Sequence, residues 1–151
     1  MLFRSFISYA FNDARYDQLN VSRLVNGQLQ KTDLRNNRVE NAPRHTVRSG
    51  VSLQYRSVKL TGQFSHVSGV FSDANNTKTS TPNAQNGWIP DYEVIDLTLS
   101  LSVRKCWSVK AGINNLTDAV YFTRRASGYP GPGALPADGR TGFITIAYKT
   151  R

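Results

Sequence analysis

The sequence predicts an all-β chain, an antiparallel meander of about six strands. Apolar and polar residues alternate at every second position in six segments, as they do in half-buried strands. No segment repeats its apolar residues at the period of a helix. Long connections alternate with tight turns along the chain, which is the order expected when neighbouring strands run antiparallel.

The alternation is clearest in segment 93–116, EVIDLTLSLSVRKCWSVKAGINNL. Apolar residues occupy every second position from Ile95 to Val103 and again from Trp107 to Ile113. Shorter runs of the same pattern cover 3–11, 47–55, 58–65 and 144–148. Phe6 is the one large residue that breaks the alternation of the first segment.

The connections between the predicted strands fall into two classes, tight turns and long polar segments. Tight turns are predicted near Arg56-Ser57 and Arg104-Lys105, and long polar connections over 13–45, 72–92 and 117–140. An antiparallel meander then carries all long connections at one rim, an asymmetry typical of outer-membrane β-barrels. A tilted strand of about ten residues spans about 24 Å, close to the apolar band of about 25 Å in such barrels.

Aromatic residues favour the same interpretation. Tyr55 and Trp107 adjoin the two tight turns, and Tyr148 lies near the last residue of the chain. We predict that all three are membrane-interface aromatic residues, with Phe11 and Phe64 at the opposite rim, because amphipathic rings favour the headgroup boundary. The alternative is that aromatic residues simply favour strands.

The polar face is predicted to line a hydrated lumen. It carries Arg48, Lys59, Asp96 and Lys110 among small hydroxyl residues. We expect Asp96 to pair with these cations. Six strands cannot close a barrel of this kind, and unpaired edges are not tolerated in hydrocarbon. The sequence therefore predicts one segment of a larger transmembrane β-barrel.

Composition leaves one alternative open. The net charge is +9, the pI about 10.1 and the mean hydropathy −0.42, which also suit a soluble basic β-sheet module that binds nucleic acid or another polyanion. The basic residues are scattered, however, so we favour no nucleic-acid partner. Segment 1–15 does not resemble a secretory signal.

Enzyme chemistry has little support. One cysteine, Cys106, allows no intramolecular disulfide, and with only His45 and His66 it supplies no zinc-ligand set. No nucleophile stands with a base, and the glycine-rich run 128–133 lacks the Lys-Ser/Thr of a phosphate loop. We predict that the chain is not an enzyme and has no cofactor or metal site.

Several motifs in order resemble a known family. They are NRVENAPRHTVRSGVSLQY at 37–55, FSDANNT at 71–77 with GWIPDYEVIDLTLS at 87–100, and INNLTDAVYFTRRASGYPGPGALPADGR at 113–140. Together the motifs resemble the C-terminal β-barrel portion of TonB-dependent outer-membrane receptors, in the branch of ferric-citrate and ferric-siderophore receptors.

The resemblance implies a 22-stranded barrel in the Gram-negative outer membrane, closed by an N-terminal plug. Such receptors bind ferric chelates and import them with energy from TonB. Residues 1–151 would supply about the last six strands, without the plug or the segment that contacts TonB, and would not transport alone. The chain departs from the family by ending in Tyr148-Lys149-Thr150-Arg151 instead of an aromatic residue.

Three arginines border the last long connection: Arg124, Arg125 and Arg140. Guanidinium groups recognise carboxylates in a planar, bidentate geometry. We therefore predict that these residues bind the anionic chelate. Contact with lipid phosphates or with water is the alternative.

Overall fold

A computed structural model of the chain describes residues 1–103, 106–129 and 131–150. Within them the chain forms twelve β-strands: β1 Leu2–Phe11, β2 Asn20–Val25, β3 Gln28–Asp33, β4 His45–Tyr55, β5 Val58–Val67, β6 Val70–Phe71, β7 Trp88–Ile89, β8 Tyr92–Val103, β9 Trp107–Asn114, β10 Phe122–Ala126, β11 Gly133–Pro136 and β12 Thr141–Tyr148. Six of them form one antiparallel sheet in the order β1-β4-β5-β8-β9-β12. This sheet confirms the predicted six-stranded meander.

No helix among the residues described is long and apolar enough to cross a membrane.

Strand register places the alternating residues on two distinct faces. Residues directly opposite each other on neighbouring strands share a face. One continuous apolar row of such partners crosses all six strands: Phe3, Leu53, Leu60, Leu99, Ala111 and Ile144. The adjacent row on the other face begins with Arg4 and continues through Ser52, whose hydroxyl lies 2.9 Å from that of Thr61.

Phe6 and Phe143 lie on the polar face, and each covers a glycine. Phe6 lies opposite Gly50, and Phe143 lies opposite Gly112. A Cβ on Gly112 would lie 2.5 Å from Cε1 of Phe143, and a Cβ on Gly50 would collide with the ring of Phe6. The rings therefore occupy the space that the glycines leave open, an arrangement that protects glycine in a sheet. This contact explains why Phe6 breaks the alternation.

The tight turn at 56–57 and the long connections lie at opposite ends of the sheet. Tyr55 pairs with Val58 across a two-residue turn, in which Arg56 has a φ of 52°. The second predicted turn, Arg104-Lys105, lies outside the described residues.

The long connections contain more structure than the sequence analysis predicted, because they hold the three short hairpins β2–β3, β6–β7 and β10–β11. The first hairpin turns at Asn26-Gly27, with φ angles of 49° and 77°. Positive φ at both positions is the geometry of the I′ turn that Asn-Gly favours. This signal was present in the sequence and the prediction of a loop over these residues missed it.

In the described residues, the buried hydrophobic side chains are confined to the long connections. Among the described residues the buried hydrophobic side chains are Leu34, Val70 and Ile89, and all three lie outside the six-stranded sheet. In the sheet, Leu99 is 44% exposed and Ile144 is 74% exposed. Nothing in the described part of the chain packs as a second layer on the apolar face.

Candidate functional site

The three long connections form one hydrogen-bonded layer beyond the sheet. We call them the first loop region (12–44), the second (68–91) and the third (115–140). Side chain to backbone hydrogen bonds join the first to the second and the second to the third. The layer is therefore an ordered structure, because hydrogen bonds join each loop region to the next.

Asn76 joins the second region to the first. Its Nδ2 donates to the carbonyl of Arg38, and its Oδ1 accepts from the Arg38 amide, both at 2.8 Å. Nearby, Nδ2 of Asn37 donates to the carbonyl of Ala74 at 2.9 Å. The motif at 71–77 thus positions the backbone of the first loop region.

The same motif is held internally by Asp73. Its carboxylate accepts from the Thr77 hydroxyl at 2.8 Å and from the amides of Asn75 and Thr77. Asx turns of this type fix a short loop without a hydrophobic core. Asn76 can then take its positive φ of 54° and face Arg38.

Arg125 joins the third region to the second. Its guanidinium donates to the carbonyls of Ala84 and Trp88, both at 3.0 Å, and to the hydroxyl of Ser80 at 2.8 Å. The guanidinium also lies over the ring of Phe122, with its carbon 5.0 Å from the ring centroid. These contacts occupy most of the donors of Arg125, so the structure places it as a clamp between two loop regions.

The other two predicted ligand residues have different surroundings. Arg140 pairs with Asp118, 3.4 Å between Nη2 and Oδ2, and its amide donates to Oδ1 at 2.9 Å. Arg124 is exposed, and within the described ranges it takes part in no ion pair. Chelate binding by Arg124, Arg125 and Arg140 stays a prediction.

Asn115 organises the base of the third loop region. It is only 3% exposed, and its φ is 51°. Its Oδ1 accepts from the Ala119 amide at 2.8 Å, and its Nδ2 donates to the Ala119 carbonyl at 2.9 Å. Asn tolerates positive φ and can replace backbone partners in a turn, which explains the INNLTD motif as a structural one.

Asp96 accepts the Asn115 amide at 2.9 Å. We expected it to pair with the cations of the polar face, but in the part of the chain that the structure describes it forms no ion pair. The reason is its position: the carboxylate lies at the end of the sheet where β9 leads into the third loop region, and an unpaired backbone amide there is the nearer donor.

The four residues predicted to face the lumen share one face of the sheet. Arg48 lies opposite Ser65, and Asp96 lies opposite Gln63. Lys59 and Lys110 both lie opposite Ser100. All of these partners belong to the polar face, and the function of that face as a lumen stays a prediction.

The three predicted interface aromatics share the other face, at the end of the sheet that carries the turn at 56–57. Trp107 and Tyr148 are direct partners, with ring centroids 4.7 Å apart. Tyr55 pairs with Val58, which lies opposite Leu101 near the same end. All three rings are exposed, and their contact with a membrane interface stays a prediction.

The two histidines lie in separate pairs. Nδ1 of His45 is 2.9 Å from the hydroxyl of Tyr9, and Nδ1 of His66 is 3.2 Å from a carboxylate oxygen of Glu93. No group of three or more His, Cys, Asp or Glu residues suited to a metal occurs within the described ranges.

A basic cavity between the first and second loop regions was missed by the sequence analysis. Its volume is about 620 Å³, and its basic lining residues are Arg15, Arg38 and Lys78. Phe71 and Trp88 form an aromatic wall. These residues are far apart in the sequence, so no local pattern of charge indicated that they line one cavity.

Sequence comparison identifies the family. The family model described as TonB dependent receptor-like, beta-barrel, matches residues 2–116. The chain belongs to this family. The match confirms the resemblance and agrees with the open antiparallel sheet. A comparison with curated proteins found no match.

Several solved structures of transporters and receptors have a similar fold. The ferric citrate transporter FecA in its unliganded form is 16% identical with a TM-score of 0.74, covering 97% of this chain and 20% of FecA. The siderophore receptor PiuA from Acinetobacter baumannii is 21% identical with a TM-score of 0.73, covering 97% of this chain and 19% of PiuA. The copper transporter OprC is 13% identical with a TM-score of 0.62, covering 97% and 21%. The chain thus spans about a fifth of each of these proteins.

Proposed function

We propose that this chain forms part of the barrel wall of an outer-membrane receptor that binds ferric chelates and imports them. The observation that carries the proposal is the apolar row that crosses all six strands and stays largely exposed. Acyl chains are the natural partner of such a surface, because the backbone polar groups of a sheet are already paired.

The sheet has two open edges, β1 and β12, each paired on one side within the described residues. In hydrocarbon such edges need partners. We propose that further strands of the same receptor pair with both edges, and that residues 1–151 act as one segment of a 22-stranded barrel. Six strands enclose no channel, so this segment alone is not expected to transport.

The polar face and the loop layer are the parts proposed to meet the ligand. Arg48, Lys59 and Lys110 give the polar face an excess of positive charge over Asp96. In the third loop region, the exposed Arg124 has a guanidinium that could contact a chelate. Arg125 and Arg140 would contribute mainly by holding the loops in place.

Two partners complete the proposal. Outer-membrane lipid would contact the apolar face, and the TonB complex would contact a part of the receptor outside these 151 residues. A ferric chelate is the preferred ligand, because FecA and PiuA are described as a ferric citrate transporter and a siderophore receptor. A soluble polyanion-binding module is not favoured, because it would leave the apolar face in water.

The test is a comparison of the two faces of β8 in lipid vesicles. In a Cys106→Ser background, Leu99→Cys and Thr98→Cys would each carry an environment-sensitive fluorophore. We expect spin-labelled lipid to quench the fluorophore at position 99 and aqueous iodide to quench the one at position 98. Equal quenching by iodide at both positions would contradict a lipid-facing sheet.

A further inference from the structure

The cavity between the first and second loop regions has an unbalanced charge. Three basic residues, Arg15, Arg38 and Lys78, line it together with three asparagines and two aromatic residues. No acidic residue lines it in the described part of the chain. A concave site with converging cations and amide groups is suited to an anion.

Among the described residues, Arg15 is the one cavity cation that forms an ion pair. Arg15 donates to Asp13 at 3.3 Å and to the carbonyl of Asn36 at 3.0 Å. Asp13 also lies 3.8 Å from Arg44. The hydrogen bond from Arg15 lowers the pKa of Asp13 and outweighs desolvation, which raises it, and the charges of Arg15, Arg44 and Arg38 lower the pKa further.

Arg38 and Lys78 carry the surplus charge. Arg38 lies directly opposite Arg15 in an isolated antiparallel bridge. Like charges at opposing positions destabilise a β pair. Across residues 1–103, 106–129 and 131–150, the side chains of Arg38 and Lys78 have no hydrogen bond or ion pair. An anion between them would supply the missing partner.

Hydrogen bonds and packed rings hold the walls of the cavity in position. The backbone of Arg38 is bonded on both sides to Asn76. The ring of Trp88 packs on Phe71, with centroids 4.8 Å apart, and on Gly69, where a Cβ would collide with it. The Trp88 amide also donates to the carbonyl of Lys78 at 3.2 Å. A preorganised site loses less entropy on binding.

We propose that this cavity binds a small anion rich in carboxylates, with Arg38 and Lys78 as the residues that hold its charge. A guanidinium matches a carboxylate in plane, an ammonium adds a point charge, and the aromatic wall accepts the apolar part of the ligand. The volume of about 620 Å³ suits a small molecule. The proposal rests on the proposed function only in taking this anion to be the ligand of the receptor.

Tryptophan fluorescence can report ligand binding in this cavity. Trp88 and Trp107 are the two tryptophans, so Trp107→Phe leaves a single indole at the cavity. We would fold this variant in detergent micelles and titrate it with citrate, ferric citrate and inorganic phosphate, following Trp88 fluorescence. We expect saturable changes with both citrate species and weaker binding of phosphate.

Charge-matched variants locate the site. Arg38→Gln with Lys78→Gln should raise the citrate Kd about 10-fold, because two charged contacts are lost. Arg23→Gln with Lys31→Gln removes the same charge from β2 and β3, outside the cavity, and should change the Kd by less than about 2-fold. Circular dichroism would establish that each variant retains its strands, and the two single cavity variants serve if the double variant does not fold.

Several outcomes would overturn the assignment. Equal weakening by both double variants would mean a diffuse charge effect. Competition by phosphatidylglycerol vesicles as strong as that by citrate would mean a lipid headgroup site. If citrate does not change Trp88 fluorescence but lipid still quenches the fluorophore at position 99, the cavity proposal is rejected. The proposed barrel wall is then still supported. Conversely, citrate binding that depends on Arg38 and Lys78, without lipid contact at position 99, would support the cavity and reject the wall.

Discussion

The six-stranded sheet and the loop layer differ in where they place apolar side chains. The loop layer buries Leu34, Val70 and Ile89, and Ile89 is only 2% exposed. The sheet leaves Leu99 and Ile144 exposed. The loop layer is therefore organised like a water-soluble protein, while the apolar face of the sheet requires a partner that the described chain does not contain.

The two regions also differ in how they satisfy polar groups. The sheet pairs its backbone in regular antiparallel ladders. The loop layer depends on single side chains such as Asn76, Asn115 and Arg125, each of which bonds to backbone groups. The sheet should therefore be sensitive to polarity on one face, and the loop layer to the loss of individual polar side chains.

The largest effect is expected for a charge on the apolar face. Leu99→Arg should lower the free energy of unfolding in lipid vesicles by about 3 kcal/mol, because arginine is costly near the middle of a bilayer. Gln63→Arg on the polar face, opposite Asp96, should change it by less than about 0.5 kcal/mol. Urea titration would measure both values. Similar losses for the two variants would remove the distinction between the faces.

In the loop layer, the largest loss is expected at Asn115. Asn115→Ala removes both bonds to Ala119 and should cost about 2 kcal/mol, with faster hydrogen exchange at the Ala119 amide. Asn115→Gly keeps the positive φ accessible and separates backbone strain from lost bonding. Asn114→Ala is the control, since among the described residues the side chain of Asn114 makes one hydrogen bond, to Thr141 at 3.4 Å. Unchanged exchange at Ala119 would contradict the structural role.

The adjacent arginines offer a matched pair. Arg125→Ala should cost about 1.5 kcal/mol and expose the second loop region to proteolysis, because three hydrogen bonds to that region are lost. Arg124→Ala should leave stability unchanged within about 0.5 kcal/mol. If both variants retain protease resistance, Arg125 does not act as a clamp.

The smallest effect concerns the glycine beneath Phe6. Gly50→Ala should cost about 1 kcal/mol, because its Cβ would enter the space of the ring. In a double-mutant cycle, Phe6→Ala should remove much of this cost. Strictly additive free energies of unfolding would show that the ring does not cover Gly50.

How much of the structure the sequence predicts depends on how far apart along the chain the interacting residues lie. The alternation in 93–116 predicts which residues share a face, and the strand registers agree with it. The Asn26-Gly27 turn was equally local, and its hairpin could have been predicted from that dipeptide alone. The contacts of Arg125 with Ser80 and Ala84 were not predictable in this way, since they join residues about 40 positions apart along the chain.

The sequence alone determined the two-faced sheet and the side of it that avoids water, because a strand alternates its side chains at a period of two whatever its surroundings. Only the tertiary structure decided which polar groups of the loop layer bond to one another and which cations face a cavity. Arg38 and Arg125 have identical side chains, but that of Arg38 lines a cavity and has no hydrogen bond among the described residues, while that of Arg125 is held by three loop partners. That difference depends on the distant backbone groups that folding brings beside each of them.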